Sequence, residues 1–313
     1  VPRSDHLSAK VSWHKARVGF RLVGLTARAM WCCGVAHCGT SPLALEFDRY
    51  GRWLGLLRLL SGHRDAVELL LHPMESVRYF EFAAVKSLLP VNLGRCLDVS
   101  SPRLFSLVVK RTKDPAILIA NPDESDLALT EQLFATAGLR DCLISFSAKD
   151  AASLSVTGYR FDTIWSISVL EHVAGANSDL DALQALYGLL APGGRLIITV
   201  PVDRMFRVET SQVPMYPTQP KLDDGSYFFQ RFYDNIAIEE RLLAALPVRP
   251  IAIEWYGERE RGWWYRYQSE ASRNGVNPHV ADVAEMPRHF ARFDSWRDMP
   301  GMGIVALAWE RRG

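Results

Sequence analysis

The chain is 313 residues long, with 48% hydrophobic and 23% charged positions, which suffices for one large α/β domain plus an accessory region. Thirty-six Lys and Arg oppose 35 Asp and Glu, a formal net charge of +1, so there is no overall field to hold a polyanion and nucleic acid is not an expected partner. Nine Trp, ten Tyr and fourteen Phe exclude a disordered chain.

The polar start, with Arg3, Asp5 and His6, shows no secretory pattern. Val18 to Ala36 is apolar but broken by Arg21 and Arg28, which reads as a buried amphipathic helix, with contact to a membrane surface as the alternative. Cys32, Cys33, His37 and Cys38 carry metal-capable atoms, but adjacent cysteines suit a tetrahedral site badly and no second pair follows, so no metal is expected. The odd total of five cysteines without a framework predicts reduced thiols and a cytoplasmic location. Helical spacing in Trp53, Leu54, Leu56, Leu57 and Leu60, then Val67, Leu70 and Leu71, gives a helical cap or lid over residues 1–92.

From Arg95 short apolar runs alternate with amphipathic stretches, the pattern of βαβ units, so residues 93–313 read as a Rossmann-like domain. Strands are predicted at Cys96 to Val99, Ala116 to Ala120, Cys142 to Phe146, Phe161 to Ser168 and Arg195 to Val200. Helices are predicted at Leu104 to Lys110, Asp126 to Ala137 with Gly138 as its stop, and Asp179 to Leu190. Residues 202–233 read as an irregular lid loop, followed by a helix from Asp234 to Leu246 and strands at Pro250 to Trp255 and Gly303 to Trp309. An insertion at 257–300 holds Trp263, Trp264, Tyr265, Tyr267 and Phe290, which suit a ring-stacking wall, a dimer contact or simple core. The expected architecture is a doubly wound, seven-stranded sheet, six strands parallel and the last antiparallel.

In such a sheet the ligand lies beyond the carboxyl ends of the strands, and four of these ends carry suitable groups: LDVSSPRLF from Leu97, ILIANPDES from Ile117, SAKDAASL from Ser147 and FDTIWSISVLEHV from Phe161. FDTIWSISVLEHV followed by LAPGGRLIITVP, Leu190 to Pro201, resembles the class I S-adenosylmethionine-dependent methyltransferases, in particular the bacterial type 11-like group, over roughly Arg95 to Val200. That resemblance implies S-adenosylmethionine as cofactor and methyl transfer to O or N of a small-molecule metabolite. Asp98, Ser100 and Ser101 would then meet the amino acid end, Asn121 and Asp123 the ribose, Asp150 and Ala151 the adenine edge, and Ser166 and Ile167 its face, with Tyr79 of the cap closing over the cofactor. Ser100, Pro102 and Leu104 stand where relatives carry glycines, so a degenerate binding or scaffold protein is the rival expectation.

His172 is a candidate proton acceptor and Tyr233 a second catalytic candidate. Tyr227, Arg231 and Asp234 are candidates for binding the acceptor, Arg231 suiting an acidic group. In the alternative, Phe228, Phe229 and Phe232 anchor that segment while its polar groups satisfy one another, and Asp98 and Asp150 merely cap helices. A homodimer is compatible with the sequence.

Overall fold

In a computed structural model the chain is described at residues 44–63, 66–75, 77–139, 144–147, 153–154, 158–175, 178–215, 219–273 and 286–312. Asp150, Ala151, Cys142, the Cys32 to Cys38 cluster and the stretch Val18 to Ala36 lie outside them. The chain divides into two compact units, one containing Leu45–Pro73 and the other Met74–Gly313 together with Ala44.

The smaller unit contains helices α1 (Leu45–Leu60) and α2 (Ala66–Leu71). Gly55 lets them cross closely, because a Cβ there would sit 2.4 Å from the Leu70 backbone nitrogen. Arg52 fixes the pair by donating to both Asp48 oxygens, at 2.8 and 3.1 Å, and to the Leu71 carbonyl at 2.8 Å.

The larger unit begins with α3 (Arg78–Leu88) and then alternates as the apolar runs predict. In order come β1 (Arg95–Val99), α4 (Arg103–Lys113), β2 (Ala116–Ala120), α5 (Glu124–Thr136), β3 (Ile144–Ser147), β4 (Phe161–Ile167), α6 (Ser178–Gly188) and β5 (Leu190–Val202). Each predicted strand to this point is present, with ends shifted by a few residues. β2 needs no shift, since its five residues are apolar throughout and Pro115 and Asn121 bound them.

The lid loop needs correcting. Residues 202–233 contain a hairpin, β6 (Arg207–Ser211) with β7 (Tyr227–Phe232), whose antiparallel register includes Arg207 opposite Phe232. Phe228 and Phe232 bury their rings, and this anchoring overrides the weak strand propensity of the polar residues between them. After it, α7 (Asn235–Ala237) continues into a wide π turn at Ile238–Leu243.

The rest comprises β8 (Ala252–Glu258), α8 (Trp263–Arg273), α9 (Met286–His289), β9 (Phe290–Phe293) and β10 (Gly303–Glu310). The sheet order is β3-β2-β1-β4-β5-β10-β8-β9, with parallel pairing from β3 to β5 and β10 antiparallel to both β5 and β8. The six expected parallel strands and antiparallel closing strand are all present. The insertion adds an eighth, β9, antiparallel to β8.

Glu258, 1% exposed, docks the insertion: its carboxylate accepts from the amides of Gly262 (2.6 Å), Trp264 (3.0 Å) and Met302 (3.2 Å), so the start of α8 has its orphan donors met. The core lies on the β1-β4-β5-β10 centre, with Leu97, Ile164, Ile198, Leu307 and Trp309 enclosed. No helix among the described residues is long and apolar enough to cross a membrane.

Candidate active site

Because β1 through β5 run parallel, their carboxyl ends form one edge, and the order reverses between β1 and β4. In open parallel sheets such a switch point is where ligands bind, because the loops on its two sides diverge to opposite faces. Ser100, just past β1, has φ +51°, a left-handed conformation that a non-glycine residue adopts only at a cost of about 1–3 kcal/mol. The turn thus keeps a glycine-like backbone without the glycine.

Asp98 is held inside this turn. Its carboxylate accepts from the Ser101 amide at 3.1 Å and from the Ser106 hydroxyl, which in turn accepts from Trp165 Nε1 at 3.1 Å. It is 1% exposed, and burial pushes its pKa up against these donors. Asp98 therefore shapes the turn from beneath. Ser101 Oγ accepts from the Ile167 amide at 3.1 Å, tying the end of β1 to that of β4. Ser166 and Ile167 are enclosed by protein, and Ser166 Oγ donates to the Val99 carbonyl at 3.4 Å.

Beyond β2 the polar groups engage one another. Asn121 Oδ1 accepts from the Asp123 amide at 2.9 Å while its Nδ2 donates to Asp126 at 2.8 Å, and Asp123 caps α5 through the amides of Ser125 and Asp126. Arg103, at the start of α4, forms an ion pair with Asp126. Tyr79 is buried within α3, where its carbonyl accepts from the Ala44 amide at 2.9 Å.

The edge past β4 and β5 is built differently. Ser168 also has φ +51°, and its hydroxyl donates at 2.6 Å to Glu81, a buried residue of α3. Glu81 further accepts from the Thr199 hydroxyl of β5 and pairs with Arg78. The following tight turn, Leu170–His172, carries Glu171 and His172. Glu171 is 1% exposed, and its pKa is pushed up to about 8, first by burial and then by the neighbouring Glu81 charge. His172 donates from Nδ1 to the Phe229 carbonyl of β7 at 2.8 Å, which puts the lone pair on Nε2, and Nε2 lies 3.8 Å from Glu171 Oε1. Burial and, less strongly, the Arg78 charge hold its pKa below the usual value, so the imidazole is neutral at pH 7.

Three expected site residues are corrected by their surroundings. Tyr233 is completely enclosed and its hydroxyl donates to Asp179 at 2.9 Å, while burial and that carboxylate push its pKa up, so it neither reaches nor deprotonates for a substrate. Arg231 is 4% exposed and donates to the Val173 carbonyl at 2.6 Å and to that of Gly175, clamping the hairpin to the β4–α6 connection. Asp234 caps α7 by accepting from the Ala237 amide at 2.8 Å. Tyr227 is half-buried with Lys221 over its ring, 6.0 Å from the centroid. The anchoring alternative accounts for this segment. The insertion aromatics also stack mainly on themselves, with Trp263 between Tyr267 and His289 at 5.0 and 4.1 Å.

Glu81, Ser168 and Thr199 escaped the sequence reading. A signal existed for Glu81: it falls among Tyr79, Phe80, Phe82 and Ala84, and a charge in the middle of a buried helical segment needs a partner.

The order of the sheet defines a Rossmann-like domain whose candidate site is the β1/β4 edge. Residues 105–198 match the model of a family described as a methyltransferase domain. Over that segment the chain is similar to methyltransferase domains. No curated protein matches it in sequence.

Among solved structures it is similar to an S-adenosylmethionine-dependent methyltransferase from Mesorhizobium loti (14% identity, 74% of this chain and 97% of that one, TM-score 0.42). It is also similar to the glycopeptide N-methyltransferase MtfA complexed with S-adenosylmethionine (10%, 77% and 95%, 0.43) and to the [4+2]-cyclase SpnF (19%, 85% and 97%, 0.46).

The residues at the switch point would suit the polar end of S-adenosylmethionine. Arg103 Nε, next to the left-handed turn, is a buried donor without a protein acceptor, a state costing about 1–3 kcal/mol. The cofactor's carboxylate and ribose hydroxyls are acceptors of the kind this nitrogen lacks.

Proposed function

We propose that the enzyme methylates an oxygen or nitrogen atom of a small-molecule metabolite in the cytoplasm, with His172 as proton acceptor. The observation that carries this reading is the His172 imidazole, neutral and held in one tautomer by the Phe229 carbonyl, directly after the strand that borders the switch point.

The turn from Ser100 to Arg103 would hold the polar end of S-adenosylmethionine. When bound, the cofactor supplies a methyl group on a positively charged sulfur. Ser101 keeps the β1 and β4 ends in register, while Asp98 fixes the turn from below. Methyl transfer is an in-line displacement in which alignment provides most of the acceleration, and a base is needed to unmask the acceptor's lone pair. The Phe229 carbonyl orients His172 for that step.

The test uses methyl-labelled S-adenosylmethionine and a fractionated metabolite extract, with labelled products identified by mass. Label should appear in a small-molecule fraction with the wild-type chain and fall at least about 100-fold with His172→Ala. Equal labelling by the variant, or label in no small molecule, would refute the reading.

A further inference from the structure

Glu171 Oε2 is buried and has no hydrogen-bond partner, although Glu171 sits in the most elaborately connected part of the carboxyl edge. The charges facing it come from several elements. From α3 come Arg78 and Glu81; from its own turn comes His172. Thr199 directs its hydroxyl at Glu81, the Ser168 hydroxyl donates to Glu81 and also acts on the Glu171 carboxyl group, and Tyr233 and Arg231 lie behind on the hairpin side. Arg78 is engaged by Glu81 and stands 3.9 Å from Glu75. Arg78 thus answers Glu81, its other carboxyl neighbour Glu75 is exposed to solvent, and Glu171 Oε2 is the acceptor left unmet.

This deficit lies on the β4/β5 side of the switch point, whereas the left-handed turn and the unmet Arg103 nitrogen lie on the β1 side. A cofactor seated by the latter leaves the former to the methyl acceptor. A hydroxyl acceptor would satisfy a hydrogen bond only. An ammonium would satisfy the bond and the charge together.

Building on the methyltransferase reading above, we propose that Glu171, with Glu81 behind it and His172 beside it, binds the ammonium group of an amine substrate, making the enzyme an N-methyltransferase of a primary or secondary amine. The ammonium donates to Glu171 Oε2 and passes one proton to His172 Nε2, which frees the nitrogen lone pair. That lone pair forms the new N–C bond to the methyl carbon as the C–S bond breaks, its electrons staying on sulfur. The products are a methylated ammonium ion and a neutral thioether, and His172 returns its proton to water. The raised pKa of Glu171 fits a carboxyl group poised for a positive partner.

The experiment is thermal stabilisation of the full chain saturated with S-adenosylhomocysteine. It is titrated with propylammonium and 2-phenylethylammonium chlorides and, in parallel, with 1-propanol and 2-phenylethanol. At least one ammonium salt should half-saturate at a concentration about tenfold or more below its alcohol. In the wild-type chain that concentration should fall as pH rises from 6 toward 8, because a cation displaces the Glu171 proton, and flatten above. Glu171→Gln should abolish the ammonium effect and retain S-adenosylhomocysteine binding, which also reports that it is folded.

Equal stabilisation by the alcohols, no stabilisation by either ammonium salt, no pH dependence, or an unaltered Glu171→Gln variant would overturn the proposal. So would loss of S-adenosylhomocysteine affinity in that variant, because it assigns Glu171 to the cofactor's own ammonium. Failure of the wild-type chain to bind S-adenosylhomocysteine would instead remove the methyltransferase reading beneath it.

Discussion

The β1/β2 edge and the β4/β5 edge are equally rich in polar residues, yet they are put to different uses. Asp98, Ser101, Asn121 and Asp123 close their hydrogen bonds on each other, on helix amides and on the next strand. Both turns hold a serine in a left-handed conformation and each leaves one buried polar atom unmet, a donor at Arg103 Nε past β1 and an acceptor at Glu171 Oε2 past β4. A fully satisfied polar group builds the frame. An unsatisfied one is where a ligand gains most, since it meets a cost the protein already bears.

Mutations on the two sides should therefore fail in different ways. The largest effect is expected at His172: His172→Asn should lower kcat by about 100-fold or more, with the affinity for S-adenosylmethionine unchanged in calorimetry. An acid limb in the wild-type rate profile, with its midpoint below the ordinary histidine value, should disappear in the variant.

Asp98→Ala should reduce unfolding stability by about 2–4 kcal/mol in denaturant titration, because the Ser101 amide and the Ser106 hydroxyl, on which Trp165 rests, lose their shared acceptor. A drop in cofactor affinity without a change in midpoint would instead make Asp98 a direct ligand and blur the contrast between the edges.

Glu171→Gln sharpens it through pH. The folded pKa of about 8 lies above the unfolded carboxyl value, so Glu171 contributes stability that is complete below the unfolded value and lost as pH climbs through about 8. Relative to wild type the variant should gain about 1–3 kcal/mol at pH 9 and little at pH 4. The smallest effect is at Asp234→Ala, about 1 kcal/mol of stability from the lost cap on α7, with kcat and KM unaltered.

Much of the frame was legible in the sequence because it is local. β2 ends at Ala120 where its apolar run of five residues stops, β1 and β4 end at or within one residue of the expected Val99 and Ser168, and the Leu-Glu-His-Val segment marks the turn after β4. What could not be read depends on distant partners. Tyr233 meets Asp179 from 54 positions away and Arg231 meets the Val173 carbonyl from 58, so neither environment is written near the residue. The Asp123 cap was more accessible, since an aspartate just before Glu124 to Thr136 is a common start signal. The hairpin was hidden by a polar, proline-containing stretch whose pairing depends on Phe228 and Phe232 finding the core.

The central claim is a division of labour, with the cofactor on the β1 side of the switch point and the acceptor on the β4/β5 side. A crystal structure of the full chain with S-adenosylhomocysteine tests it directly. The account predicts the amino acid end against Ser100 to Arg103 and the sulfur directed toward Glu171 and His172. A ligand whose ammonium sits on Glu171, or one bound elsewhere on the sheet, would contradict it.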